Sequence, residues 1–332
     1  MGRSVALAEA VRTNLDVGNM EEGQMHEGYV SFEDGRTWYR IEGDLRPGDA
    51  GPPPLVVLHG GPGATHDYLL PLAELAQGGR AVVFYDQFGN GRSSHFPDRG
   101  GDYWTVDLFV RELTTLLSHL GIQTRCHILG HSWGGMLAQE YALAHPAGVR
   151  SLVLSNTAAS FSEIVESMDH WRVQLPEDVQ ETLALHESAS TTDDPEYLAA
   201  CQVFYHRHMC RLAEWPPEVV ASLTAQANDP TVYHTMNGPS ELFVTGNLQS
   251  WRTTERLAQI TAPTLVLCGR YDELAPQLQD TLVQGIKGSK FIIFEDSSHM
   301  PMWEEREAYL ELVNQWLTDC DSIPHPRDIE PG

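Results

Sequence analysis

Short apolar runs and longer helical segments alternate along the chain from about residue 55 onward. Each apolar run is only four or five residues long, which suits a buried strand better than a helix. These runs predict strands at 55–58, 81–85, 126–129, 151–154, 264–268 and 291–294. Helical periods fill most of the gaps, including 106–120, 136–145 and 306–317. Buried strands separated by helices are typical of a mostly parallel central sheet flanked by helices, so the pattern predicts an α/β fold.

Two segments depart from this alternation. Ahead of it, the runs at 28–32 and 37–41 flank Asp34-Gly35, which predicts a β-hairpin. Between Asn156 and Thr261 the strand pattern stops, and helix-like segments with many aromatic residues and histidines replace it. Ligands of open α/β sheets bind beyond the carboxyl ends of the strands, so we expect this insertion to be a helical cap over the site.

These changes of pattern divide the chain into five segments. We expect an N-terminal extension at 1–25, the first part of the α/β core at 26–157, the helical cap at 158–252, the second part of the core at 253–320 and a C-terminal tail at 321–332.

The most informative motif is Gly130-His-Ser-Trp-Gly134, a G-x-S-x-G between a predicted strand and a predicted helix. In this context the motif predicts a nucleophile elbow, a sharp strained turn that exposes the hydroxyl of Ser132. The small flanking residues allow the chain to turn tightly. We therefore predict Ser132 as a nucleophile.

A serine hydroxyl is a poor nucleophile until a base removes its proton, so a histidine and an orienting carboxylate must accompany Ser132. Asp272 and His299 each come just after a predicted strand, where side chains can converge on the serine. We predict Asp272 as the acid and His299 as the base. Glu273 and Asp296 are the rival carboxylates.

Acyl transfer also needs two hydrogen-bond donors for the developing oxyanion. We predict the backbone N–H of Trp133 as one donor and that of Gly61, in His59-Gly-Gly-Pro-Gly63, as the other.

A nucleotide-binding loop is disfavoured because the third spaced glycine of G-x-G-x-x-G and the Gly-Lys-Ser of a P-loop are both missing. No cofactor is predicted. No metal is predicted either, since His206 and His208 are two residues apart on a predicted helix and point to different faces.

Charge narrows the classes of ligand. The chain has 46 acidic and 21 basic residues and a formal net charge of −25. Such a surface repels phosphate backbones and anionic membranes, whereas it attracts amines. The acidity is equally explained by solubility or salt adaptation. No apolar run approaches the roughly 18 residues of a membrane-spanning helix, so neither nucleic acid nor membrane is an expected partner.

Cysteine usage and the N-terminus indicate the compartment. The five cysteines are scattered, without a C-x-x-C pair, and are typical of reduced, buried thiols. The first twenty residues make a poor signal peptide. We therefore expect a cytoplasmic protein.

Several motifs together resemble the proline iminopeptidase family of α/β-hydrolases, which includes the tricorn-interacting aminopeptidase. They are His59-Gly-Gly-Pro-Gly63, Asp86-Gln-Phe-Gly-Asn-Gly-Arg-Ser93, Gly130-His-Ser-Trp-Gly-Gly135 and Gly238-Pro-Ser-Glu241. The resemblance runs from Tyr29 to Leu317. It implies an α/β-hydrolase fold with a cap and a serine aminopeptidase or amidase that acts at an N-terminal residue, with proline preferred.

The resemblance also implies how the substrate is recognised. In that family a glutamate of the cap and a glutamate of the acid loop bind the free α-ammonium of a small peptide or amino-acid amide. By motif these are Glu241 and Glu273, and carboxylates are the expected partners of a buried ammonium.

Other features of the site stay open at this level. Phe204, Tyr205, Trp215 and Tyr233 are candidates for the acyl-side pocket. An amino-acid amidase, or an esterase or lactonase of a specialised metabolic pathway, would use the same triad. A non-enzymatic ligand receptor is disfavoured because all three triad residues are present.

Ordinary pKa values of about 6.5 for histidine and about 8 for an α-amine predict a bell-shaped pH profile, with an optimum between roughly pH 6.5 and 8.5.

Overall fold

The computed structural model describes residues 25–46 and 51–323. The expected N-terminal extension and C-terminal tail lie almost entirely outside these described residues.

Eight strands form one sheet in the order β1-β2-β4-β3-β5-β6-β7-β8. The strands are β1 (His26–Phe32), β2 (Gly35–Glu42), β3 (Leu55–Leu58), β4 (Val82–Asp86), β5 (Cys126–His131), β6 (Val149–Ser155), β7 (Thr264–Gly269) and β8 (Lys290–Phe294). The first two form the predicted hairpin, and β2 pairs antiparallel with β4. All other pairings are parallel, as the apolar runs predicted.

Ten α-helices are present in the described residues. They are α1 (Val106–His119), α2 (Trp133–Ala144), α3 (Phe161–Arg172), α4 (Glu177–Ala189), α5 (Pro195–His208), α6 (Pro217–Asn228), α7 (Thr231–Met236), α8 (Gln279–Gly285), α9 (Pro301–Glu304) and α10 (Arg306–Asp321). A 3₁₀ segment, His66–Gly78, follows β3. None of these helices is both long and apolar enough to cross a lipid bilayer.

Helices α3 to α7 lie between β6 and β7, at the predicted helical insertion. They confirm that the alternation of strands and helices is interrupted there. The bounds of the cap at 158–252, and those of the two core segments, stay predictions.

The sheet is buried on both faces because neighbouring residues of each central strand pack on opposite sides. In β3, Val56 and Leu58 belong to the apolar cluster that includes helices α1 and α2. Leu55 and Val57 belong to the cluster on the other face, which includes the 3₁₀ segment and α10. Burying an aliphatic side chain of this size contributes about 1.5–3 kcal/mol, so these two layers stabilise the edge that carries the site.

One helix begins earlier than predicted. The periodicity suggested a start at residue 136, whereas α2 begins at Trp133, directly after Ser132. Ser132 itself turns the chain, with φ of 56°, so the next residue is already helical. Gly134 and Gly135 carry no apolar side chain, which is why the periodicity did not reveal the first turn.

An acidic residue lies within the apolar stripe of α1. Glu112 is fully buried, and its Oε1 accepts hydrogen bonds from Thr37 Oγ1 at 2.6 Å and from the Phe88 N–H at 2.8 Å. Burial raises the pKa of Glu112 to about 8. The protonated carboxyl therefore ties β2 and the loop after β4 to α1 without a buried charge.

We expect Glu112→Gln to stabilise the protein increasingly as pH rises from about 4.5 to 8. The unfolded chain has Glu112 at its ordinary pKa, so the native state holds a proton that the unfolded state has lost, and native stability falls with pH through this window. The neutral glutamine lacks this dependence. Thermal melting of both proteins across the window measures the difference, and a constant difference would contradict a protonated Glu112.

Candidate active site

The predicted nucleophile lies at a strained turn between β5 and α2. Ser132 has φ of 56° and ψ of −125°, a combination that non-glycine residues rarely adopt. The glycines on each side are required by close backbone contacts. A Cβ on Gly130 would lie 2.2 Å from the Gly134 oxygen, and a Cβ on Gly134 would lie 2.1 Å from the Leu58 oxygen. The motif therefore folds as the elbow that the sequence predicted.

The predicted acid and base contact each other. Nδ1 of His299 lies 2.7 Å from Oδ1 of Asp272, and both residues are buried. Asp272 also accepts hydrogen bonds from the Leu274 N–H at 2.9 Å and from Nδ2 of Asn156 at 2.7 Å. The carboxylate is thus held by these three donors and by the thiol of Cys268 at 3.5 Å, and it fixes the imidazole through Nδ1, so that Nε2 is the nitrogen that faces the other groups of the site.

The predicted oxyanion donors come from two elements beside Ser132. Trp133 is the first residue of α2, so its N–H has no acceptor within its own helix. Gly61 lines the same cavity as Ser132 and His299. Its φ of 111° lies in the region that glycine alone adopts readily.

The loop after β3 (residues 59–63, here the oxyanion loop) is held in position by a network of hydrogen bonds. Nε2 of His59 accepts from the Gln87 N–H at 2.9 Å, so Nδ1 carries the proton and donates to the Gly60 carbonyl at 2.9 Å. The Gln87 side chain donates to the His59 carbonyl and accepts from Nε1 of Trp133. Burial lowers the pKa of His59 to about 4, so this tautomer is the stable form at neutral pH.

A second series of hydrogen bonds links the oxyanion loop to the loop after β8 (residues 295–300, here the histidine loop), which contains His299. The Gly60 N–H donates to the Tyr68 hydroxyl at 2.7 Å, and that hydroxyl donates to Nδ1 of His131 at 2.9 Å. Nε2 of His131 donates to the His299 carbonyl at 2.7 Å. Burial, helped by the neighbouring His299, lowers the pKa of His131 well below its ordinary value, so the ring is neutral and can both accept and donate.

One carbonyl group of the cap contacts both the loop after β7, which contains Asp272 and Glu273, and the histidine loop. The His208 carbonyl, at the end of α5, accepts the backbone N–H of Glu273 at 3.1 Å and that of His299 at 3.2 Å. The His208 ring lies 2.9 Å from the Tyr271 carbonyl, and Nε1 of Trp171 donates to the Asp272 carbonyl at 2.8 Å. The position of the base therefore depends on the cap as well as on the sheet.

A cavity of about 240 Å³ lies between the cap and the sheet. Ser132, His299, Glu241 and Glu273 all line it, together with Tyr205 and Tyr233 and, on a more apolar side, Ala64, Met209, Val219, Leu223 and Met300. The structure thus brings Ser132, His299 and both predicted glutamates to one cavity, with Asp272 behind the His299 ring.

The two glutamates lie in different surroundings. Glu241 is partly buried, and its Oε1 accepts a hydrogen bond of 2.6 Å from the Tyr233 hydroxyl. Glu273 is buried, with Oε1 at 3.5 Å from Nε2 of His299, while none of the described residues bonds Oε2. Burial raises the pKa of both carboxyls, and for Glu273 the neighbouring Glu241 and Asp272 add to the rise while His299 opposes it.

The pKa of His299 differs from the ordinary histidine value of about 6.5. Burial on its own would lower the pKa of His299, but the negative charges of Asp272, Glu273 and Glu241 outweigh it and raise the pKa to about 9. These charges favour a proton in this cluster, on His299 or on a carboxyl beside it.

Two of the four aromatic candidates for the acyl-side pocket were wrong. Phe204 is fully buried against Tyr205 and His208, and Trp215 donates its N–H to the Cys210 carbonyl away from the cavity. Aromatic content alone did not distinguish lining residues from packed ones.

Of the two rival carboxylates, Glu273 lines the cavity and Asp296 does not. Asp296 and His206 are exposed to solvent, and Glu273 faces the base from the side opposite to Asp272. Sequence reasoning missed the supporting residues Tyr68 and Asn156. Asn156 follows a predicted strand end, which was the one signal available for it.

Two groups of side chains among the described residues have ligand types suited to a metal ion. His66, Asp67 and Asp86 form one of them, but Arg92 already bonds both aspartates. His186, Asp194 and Glu196 form the other, in the cap. Neither group lines the cavity.

Comparison with known proteins shows which family shares the fold and sequence of this chain. A family model described as the α/β-hydrolase fold matches residues 53–306. A proline iminopeptidase of Saccharolobus solfataricus is 40% identical over 285 residues, 86% of this chain and 89% of that protein. The chain belongs to the proline iminopeptidase family of α/β-hydrolases.

Solved structures agree with this membership. The crystal structure of a proline iminopeptidase from Mycobacterium smegmatis is 40% identical, with a TM-score of 0.81 over 89% of this chain and 99% of that one. The crystal structure of VinJ is 46% identical, with a TM-score of 0.86 at the same coverage. The predicted fold and family are confirmed, and the chain is a hydrolytic enzyme of the aminopeptidase class.

We expect Ser132→Ala to lower kcat by roughly three orders of magnitude or more, because members of a triad act as a unit. The melting temperature should change little, since the substitution removes one hydroxyl. Rates with a prolyl arylamide measure the loss, and a phosphonate should label Ser132 alone in the unaltered protein. Undiminished turnover would contradict its role as nucleophile.

We expect Tyr68→Phe to lower kcat by roughly 10- to 100-fold with a smaller effect on KM, since small misplacements of reacting groups are costly. The substitution leaves the Gly60 N–H and Nδ1 of His131 without their shared partner. Kinetics and melting temperature are measured together. A lower melting temperature with unaltered kcat would mean that the hydroxyl only stabilises the fold.

Proposed function

We propose that this protein is a serine aminopeptidase that releases an N-terminal residue, proline preferred, from small peptides or amino-acid amides through an acyl-enzyme on Ser132. The observation that carries the proposal is the pair of carboxylates, Glu241 and Glu273, in the enclosed cavity that also contains Ser132 and His299. Carboxylates in a poorly hydrated space require a cation, and a free amine supplies it.

The proposal assigns roles to the other residues, supported by the contact between His299 and Asp272. Ser132 attacks the carbonyl carbon while Nε2 of His299 takes its proton, and Asp272 holds the Nδ1–H of the same ring. The N–H groups of Gly61 and Trp133 donate to the developing oxyanion. His299 then protonates the leaving amine. In the second half of the reaction, His299 takes a proton from water as the water oxygen attacks the acyl carbon, and it returns the proton to Ser132 Oγ as the ester bond breaks.

The preference for proline is supported by the number of acceptors. A secondary ammonium has two N–H bonds, so Glu241 and Glu273 can each accept one of them. A primary ammonium has a third N–H that needs another acceptor. The relatives from Saccharolobus solfataricus and Mycobacterium smegmatis, both named proline iminopeptidases, point to the same first residue.

An amino-acid amidase would use the same amine pocket and differ only in the leaving group. An esterase or lactonase would gain nothing from two buried glutamates, so the cavity favours a substrate with a free amine. A cytoplasmic location is part of the proposal, supported by five free cysteines that are all buried.

We expect Glu241→Gln to lower kcat/KM for a prolyl arylamide by roughly 10- to 150-fold. A charge-assisted hydrogen bond to a desolvated ammonium contributes about 1.5–3 kcal/mol, which converts to that factor. The amide of glutamine keeps the shape and the acceptor for Tyr233. Steady-state kinetics across substrate concentrations measure the change.

The matched substrate is an aryl ester of cyclopentanecarboxylate, which has the ring of proline without its nitrogen. Glu241→Gln should leave this ester nearly unaffected. Equal losses with both substrates would make Glu241 a structural residue of the cap and would favour an esterase.

A further inference from the structure

The base of the predicted triad faces a carboxylate at the atom that must take a proton from the nucleophile. Nε2 of His299 lies 3.5 Å from Oε1 of Glu273, on the opposite side of the ring from Asp272. A catalytic base needs a free lone pair at Nε2. In the absence of substrate, that position borders a buried carboxylate.

Negative groups dominate the surroundings of this ring. The loop after β7 contributes Asp272 and Glu273, and the cap contributes Glu241. The other titratable groups near the ring or these carboxylates come from several elements. They are His131 on β5, His208, Tyr205 and Tyr233 in the cap, Tyr68 behind His131, Cys268 against Asp272, and Glu304, which bonds the backbone beside the ring. Among the described residues, the cavity lining contains neither lysine nor arginine. Three carboxylates thus surround the His299 ring without a lysine or arginine in the cavity lining to balance them, and the neighbouring His131 ring is neutral.

We propose that Glu273 and His299 hold a proton between them in the free enzyme, and that the substrate's ammonium group displaces it, so that the base becomes active only when a free amine occupies the cavity. This inference rests on the proposed function and assigns Glu273 a second role in it. Glu273 would act both as a ligand of the amine and as a gate on the base.

The proton balance is simple. In the free enzyme one proton lies on Nε2, or on Oε1 of Glu273 with its hydrogen donated to Nε2. In both arrangements the lone pair of Nε2 is occupied, so Nε2 does not accept the proton of Ser132. The arriving ammonium supplies the positive charge that Glu273 requires, and the shared proton leaves to solvent. Nε2 then accepts the proton of Ser132 during attack and returns it to the leaving amine.

The charges around His299 support release of its proton when an ammonium group binds. The pKa of His299 lies at about 9 in the free enzyme, two to three units above an ordinary histidine. A cation bound between Glu241 and Glu273 cancels part of the field that raises it. Selectivity for free amines then arises in the reactivity of Ser132 as well as in binding.

The gate can be tested with a reagent that has no amine. Methanesulfonyl fluoride reacts with an activated serine, so its rate of labelling at Ser132 follows the neutral form of His299. In the unaltered protein we expect this rate to rise with pH to a midpoint near 9. In Glu273→Gln the midpoint should fall by about 1 to 3 units, and labelling at pH 7 should be about tenfold faster or more.

Asp296→Asn is the matched control. Asp296 is an exposed carboxylate on the histidine loop, so removing it changes the net charge equally without facing the cavity. The pH midpoint of labelling in Asp296→Asn should equal that of the unaltered protein. A comparable shift in both variants, or no shift in Glu273→Gln, would overturn the proposal.

A second measurement needs no variant, so it stays decisive if Glu273→Gln does not fold. Pyrrolidine is a cation throughout the neutral range and is the ring of proline without its carboxyl group. At pH 7 and matched ionic strength, it should accelerate labelling of the unaltered protein several-fold. It should also release a proton on binding, seen by calorimetry in buffers of different ionisation enthalpy. Absence of both effects would overturn the gate.

Failure of the gate is distinguishable from failure of the proposed function. If Glu273→Gln lowers turnover of prolyl arylamide and spares the cyclopentanecarboxylate ester while the labelling midpoint stays fixed, the amine site stands and the gate is wrong. If both substrates lose activity equally in Glu241→Gln and Glu273→Gln, amine recognition itself is wrong and the gate fails with it.

Discussion

The strained turn at Ser132 is the constraint on which the site depends. A positive φ at a residue with a side chain is held only when the surroundings leave no alternative. Here the end of β3 presses against Gly134, and the start of α2 crosses the end of β5 at Gly130. The second contact follows from the tight turn itself, and the first exists because β3 and β5 are parallel neighbours that end at one edge. The sheet therefore positions the hydroxyl group, and the loops that follow the other strands add the remaining groups.

Burial and charge oppose each other in the cavity. Three carboxylates lie within reach of one imidazole, and burial raises the pKa of two of them. Polar partners reduce this cost without removing it, as the Tyr233 hydroxyl does for Glu241. A positive ligand between the carboxylates would offset the remaining cost of burying them.

Features fixed by local chemistry could be predicted from the sequence. The first hairpin and the elbow at Ser132 depend on turn residues that neighbour each other in the chain, and the structure contains both, although the hairpin turns at Glu33-Asp34, one residue before the predicted Asp34-Gly35. The convergence of Asp272 and His299 followed from their places after two strands. The chain from Gly60 through Tyr68 to His131 could not be predicted, because its members come from three elements whose packing no local pattern encodes. For the same reason Phe204 could not be separated from Tyr205, since adjacent residues of α5 face different surroundings.

The adjacency of Asp272 and Glu273 has an evolutionary consequence. The residue that orients the base and the residue that faces the amine share one short loop, so insertions or deletions there would disturb both. A change of side chain at 273 alone would leave the loop and the triad in place. A descendant of this enzyme could therefore turn to substrates without an amine by a single substitution, with the catalytic geometry inherited intact.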